Sequence, residues 1–184
     1  MRIIRSVPGW LLAVVLCSGT AGAHPVDEVV QGAYLTLVPG EVRLELDITP
    51  GADVARAILD ILDRNGDRSV SEAETRAYAQ IVLEQSTLTL DGRHATWMLV
   101  NVSTPPYRNL EMGSSMIRIY AVAERADRPG GRALTYENRY QPAKSQWIAN
   151  VFLQPGAGWR YQITAQQRSD DGRQLAVSYV ATWQ

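Results

Sequence analysis

Between Glu41 and Ile48 polar and apolar residues alternate without a break: Val42, Leu44, Leu46 and Ile48 fall between Glu41, Arg43, Glu45 and Asp47. A period of two places the first set on one face of a strand and the second on the other, so one face is buried and its reverse is wet. The run Ala33–Val38 precedes it, and Pro39-Gly40 between them predicts a tight turn joining two strands. After Thr49-Pro50-Gly51 the period changes. Val54, Ile58, Leu59 and Leu62 recur at helical spacing, and a helix is expected to end at Asp63. Ser71 followed by Glu74 forms a Ser-x-x-Glu capping box, which opens a second helix whose apolar line runs through Tyr78, Ile81 and Val82.

Beyond residue 88 the pattern returns to strands. Leu88–Leu90, the turn Asp91-Gly92 and the run Ala95–Val102 are expected to form a hairpin. Further strands are predicted over Ser115–Val122, Leu134–Tyr140, Trp147–Leu153, Trp159–Gln167 and Gln174–Trp183, the last two joined at Asp170-Asp171-Gly172. The expected fold is mainly β. It is an antiparallel, immunoglobulin-like β-sandwich of about seven to nine strands, with a helix-loop-helix of EF-hand type inserted at about residues 51–84.

The loop between the two helices carries the one legible chemical device. Asp63-Arg-Asn-Gly-Asp-Arg-Ser-Val-Ser-Glu-Ala-Glu74 sets oxygen-bearing side chains at the first, third, fifth, ninth and twelfth places of a calcium-binding frame of EF-hand type. A hard cation takes six to eight oxygens at about 2.3–2.6 Å, and a tight loop supplies them from alternate inward positions. Asp63, Asn65 and Asp67 are expected to ligate directly and Ser69 through its carbonyl. Ser71 would act through a water and Glu74 with both carboxylate oxygens. Val70 is expected to pack inward. The sixth place, usually glycine because it needs a left-handed backbone, is Arg68. A side chain there costs on the order of 1 kcal/mol, and Arg64 and Arg68 offset the ligand charge, so calcium affinity is expected to be weak.

Composition adds location and exclusions. Arg2 and Arg5, the apolar run Trp10–Cys17 and the small residues through Ala23 form a secretory signal peptide over residues 1–23, with a mature chain of 24–184 read as one domain. The apolar core of that leader is roughly eight residues against the about 20 a membrane span needs. Periplasmic or secreted location is expected, and the single cysteine, Cys17, leaves with the leader. Of 18 basic and 19 acidic residues two arginines leave with the leader, giving a mature charge of about −3 with the cations dispersed, which argues against nucleic acid.

The His24-Pro25 start, the early strand pair, the Asp63–Glu74 loop and the return to strand at Leu88-Thr-Leu-Asp-Gly92 together resemble periplasmic EF-hand proteins. Among these is the extracytoplasmic segment of bacterial nickel transporters of the hydrogenase/urease-accessory type. The resemblance implies a soluble accessory or binding role beside a metal-uptake membrane protein. It supplies no substrate.

Two other non-enzymatic readings stay open. His24 would offer an α-amine and an imidazole to copper, with His94 the only other histidine; Met98, Met112 and Met116 read as core filler instead. A calcium-ordered protein- or glycan-binding module would present Trp147, Trp159, Tyr161 and Trp183. No nucleophile elbow, phosphate loop or metalloprotease helix suggests an enzyme. Glu124, Asp127, Glu137 and Asp170 are acid-base candidates by type alone.

Overall fold

The structure, a computed structural model, describes residues 26–184; the leader and His24 lie outside the described residues. The chain builds two five-stranded sheets packed face to face. The first holds β1 (Val29–Val38), β2 (Glu41–Pro50), β5 (Met98–Ser103), β6 (Ile117–Glu124) and β8 (Ser145–Leu153), in the order β5-β6-β2-β1-β8. The second holds β3 (Ser86–Leu90), β4 (Arg93–Ala95), β7 (Gly130–Asn138), β9 (Trp159–Arg168) and β10 (Gln174–Trp183), in the order β4-β3-β7-β10-β9.

The alternating run behaves as its chemistry requires. Val42, Leu44, Leu46 and Ile48 are buried against the second sheet, where Leu88, Leu134, Tyr136, Leu175, Val177 and Tyr179 meet them. Val38 and Glu41 pair across the turn at Gly40, whose φ of 83° a glycine accepts without strain.

Two expectations are corrected. The sandwich is not wholly antiparallel, because β1 runs parallel to β8 from Val29–Ser145 to Leu37–Leu153. The chain reaches β8 by crossing over from the other sheet after β7, so no short hairpin dictates its direction. The run Ala95–Val102 is not one strand. β4 pairs with β3 for only three residues, after which Thr96-Trp97 carry the chain across the sandwich and β5 joins β6 in the first sheet. A third helix, α3 (Tyr107–Glu111), was not expected.

Between β2 and β3 stand α1 (Ala55–Leu62) and α2 (Glu72–Glu84). Ile58, Leu59 and Leu62 of α1, and Tyr78, Ala79, Val82 and Leu83 of α2, are buried in the same core as the strands. Tyr78 reaches farthest: its hydroxyl accepts from Tyr140 Oη at 2.9 Å, and the two rings meet edge to face at 5.9 Å. The helices are thereby fastened to the sandwich by apolar burial and by satisfied polar contacts, Tyr78 with Tyr140 and Thr75 with Thr104 at 2.7 Å. Among the described residues no helix is long and apolar enough to cross a membrane.

Candidate metal centre

The loop begins where α1 stops. Asp63 caps that helix, its amide donating to Leu59 O at 2.8 Å, and its carboxylate turns forward into the loop. Asp63 Oδ1 accepts from the amides of Gly66 at 2.9 Å and Asp67 at 3.2 Å, and Oδ2 from Arg68 at 3.0 Å. Asn65 Oδ1 accepts from the Asp67 amide at 3.0 Å, and Asp67 Oδ1 from Ser69 at 2.8 Å. The loop closes from its far end. Glu74, in the first turn of α2, reaches back so that Oε1 accepts from Arg64 at 3.0 Å and Asn65 at 3.4 Å. Its Oε2 accepts from the Ser71 amide at 3.0 Å and hydroxyl at 2.6 Å, completing the capping box.

The amides of residues 64 to 69 and of Ser71 all donate to side chains of this one loop. Fixing that many donors on Asp63, Asn65, Asp67 and Glu74 aims the side chains of the first, third, fifth and twelfth places into the loop. The Ser71 hydroxyl, then the Ser71 amide and those of Asn65 and Arg64, hold the Glu74 carboxyl below the usual carboxylate range.

At the sixth place Arg68 has a φ of 61°, the left-handed conformation that the frame demands and that glycine usually provides. Its side chain points away from the loop. Nη2 pairs with Glu111 Oε1 at 2.9 Å, and the guanidinium lies over the Tyr107 ring at 5.6 Å. Residues in α3 therefore take a part in the loop that sequence reasoning missed. The signal available was Pro105-Pro106, which suits a helix start, before Tyr107 and Leu110 at i, i+3 spacing. Val70 is half-buried against the core, as its place required.

Asp63, Asp67 and Glu74 are not drawn to a point. No three His, Cys, Asp or Glu side chains among the described residues converge to hold a metal ion. Asp63, Asp67 and Glu74 each accept instead from backbone amides of the loop. No protein-family model matches the chain, and no curated protein or solved structure matches it.

The other candidates scatter. His94 is exposed on β4 opposite Thr89, and His24 lies outside the described residues. Met98, Met112 and Met116 are all exposed, which corrects their reading as core filler. Of the four aromatics Tyr161 is buried and Trp147 is half-buried with Arg173 stacked 3.9 Å from its ring centre. Trp159 is half-buried and Trp183 is exposed; these two are cross-strand partners on β9 and β10, whereas Trp147 lies on β8 of the other sheet. Asp127 is bound to Arg125 at 2.6 Å and Glu137 to Arg139 at 2.8 Å, so each carboxylate is already held by an arginine two positions away.

Proposed function

We propose that this is an exported calcium-binding protein of the periplasm or cell exterior, an immunoglobulin-like sandwich whose EF-hand insertion is organised by the ion. The observation that carries this reading is the left-handed backbone at Arg68, set between Asp67 and Ser69 in a loop already folded on its own ligand-type side chains. Asp91 and Ala157 also take positive φ in turns, but Arg68 does so at the sixth place of a twelve-residue frame, at a cost of ~1 kcal/mol, and that coincidence supports the reading.

The donor set fits calcium. Asp63, Asn65, Asp67 and Glu74 would hold the ion through side chains, Ser69 through its carbonyl and Ser71 through a water, all hard oxygens with no sulfur or imidazole. Calcium supplies charge that offsets three carboxylates, and it joins α1 to α2 across the loop. Two arginines within the frame lower the affinity toward about 10⁻⁴ to 10⁻³ M, a range suited to extracellular calcium. At ten times the dissociation constant the ion contributes about 1.4 kcal/mol of stability. An accessory role beside a metal-uptake membrane protein belongs to the same proposal and rests on the resemblance in element order.

Thermal melting of the demetallated chain with added calcium tests it. The melting temperature is expected to rise with calcium, less with magnesium, and not at all in Glu74→Gln. A calcium response that survives Glu74→Gln would remove the loop from the account.

A further inference from the structure

A groove of about 630 Å³ opens between the β3–β4 hairpin, the start of β5 and the β6–β7 crossing, and His94 and Glu124 are among its lining. Four of the chain's arginines line it: Arg93, Arg125, Arg128 and Arg132, against two carboxylates, Asp91 and Glu124. With Asp127, the partner of Arg125, counted beside Asp91 and Glu124, the groove keeps a local excess of one positive charge in a chain whose formal charge is −1 and whose cations are otherwise dispersed.

The four have different duties. Arg125 is buried and fixed: it pairs with Asp127 at 2.6 Å, donates to Val38 O and Tyr161 Oη at 2.9 Å each, and lies over the Tyr161 ring. Asp127 in turn accepts from the Gly40 amide at 2.6 Å, so the β6–β7 crossing is pinned to the β1–β2 turn. Arg132 pairs with Asp91 at 2.6 Å, and Asp91 also accepts from the Ala133 amide at 3.0 Å, which pins the β3–β4 hairpin. Arg93 and Arg128, on these two anchored segments, are exposed, and no carboxylate of the described residues lies within ion-pairing distance of either. Arg125 Nε and Arg132 Nε are buried with no acceptor. Buried donors without partners are uncommon and ask for an explanation.

We propose that this groove binds a small multivalent oxyanion, a carboxylate- or phosphate-bearing molecule, held between Arg93 and Arg128 at the rim in the field of Arg125 and Arg132. Guanidinium groups grip such oxygens in pairs, and anchoring both segments beforehand limits the ordering that binding requires. Leu90, Ala95 and Met98 give one wall for an apolar body on the ligand. A nucleic-acid polyanion does not suit it, because the basic surface is confined to one groove of a net acidic chain. The site is independent of the calcium loop, whose residues take no part in it.

Titration calorimetry with citrate and with pyrophosphate, at constant ionic strength against chloride, tests the groove. Both probes chelate calcium, so the Glu74→Gln variant is used to keep the loop silent. Saturable binding of either is expected, weakened at least tenfold in Arg93→Gln/Arg128→Gln and strengthened severalfold in Glu124→Gln; the stronger probe identifies phosphate or carboxylate as the preferred group. Backbone amide shifts on adding the same probe to the Glu74→Gln chain should cluster at residues 91–96 and 124–132. No saturable binding, binding unchanged in the double arginine variant, or shifts centred elsewhere would overturn the proposal.

Discussion

Arg68 combines two opposed effects in one residue. Its backbone at φ 61° is strained by ~1 kcal/mol, while its side chain gains an exposed ion pair with Glu111 and a cation–π contact with Tyr107. Exposed pairs are worth about 0–1 kcal/mol and exposed cation–π contacts about 0.5–1, so the two nearly cancel. Arg68→Gly is therefore expected to leave the calcium-free melting temperature within a few degrees of its starting value. It should also tighten calcium binding severalfold, because a positive charge leaves the frame; calorimetry on the same preparation reads both. Glu74 carries the matching pH effect. Its carboxyl is lowered in the fold, so its contribution is full above the ordinary carboxylate value and is lost as pH falls through its lowered one. Acid unfolding of Glu74→Gln followed by circular dichroism should show a shallower loss of stability across that window. The loop and its cap were legible because their residue types recur at fixed spacing within twelve residues. The anchoring of Arg68 was not, since Glu111 lies 43 positions away and nothing local marks the pair.

The insertion holds together through its cap and through one tyrosine. Ser71→Ala removes the hydroxyl that accepts from the Glu74 amide and donates to its carboxylate. It is expected to cost about 1 kcal/mol by urea unfolding, with or without calcium. Tyr78→Phe leaves the buried Tyr140 hydroxyl with no acceptor on α2 and should cost about 1–3 kcal/mol. Both helices and the β1–β2 pair were readable because amphipathic periods of 3.6 and 2 are local quantities. The fate of residues 93–103 was not. Their pattern marks extended chain but carries no sign of which sheet each part joins, and the change of sheet at Thr96-Trp97 follows from closing the sandwich around Trp97 and Tyr136, whose rings meet at 6.5 Å. The groove arginines escaped notice for a related reason, being spread over forty positions that only the two crossings bring together.

Across the whole molecule the two sheets depend on contacts that allow little substitution. Gly172, at φ 75°, sits so close to β8 that an added β-carbon would stand 2.2 Å from Trp147 O. Gly172→Ala is expected to cost about 2–4 kcal/mol, from left-handed strain and overpacking together, measured as a fall in the urea midpoint. The buried tyrosines set an alkaline limit. Burial pushes Tyr140 up to about 12 and raises Tyr78 and Tyr136 as well. Above the ordinary tyrosine value of about 10 the unfolded chain releases protons that the fold retains, so stability is full below that pH and declines above it. The β1–β8 ladder also fixes an order of events in time. Lys144 and Asp27, which pair beside its first rung, are 117 residues apart. During synthesis β1 emerges early as a hydrophobic ribbon with one margin unmatched, and that margin cannot be covered until most of the chain has followed. A protein so wired completes itself late, which gives any chaperone a long interval in which to hold it unfolded.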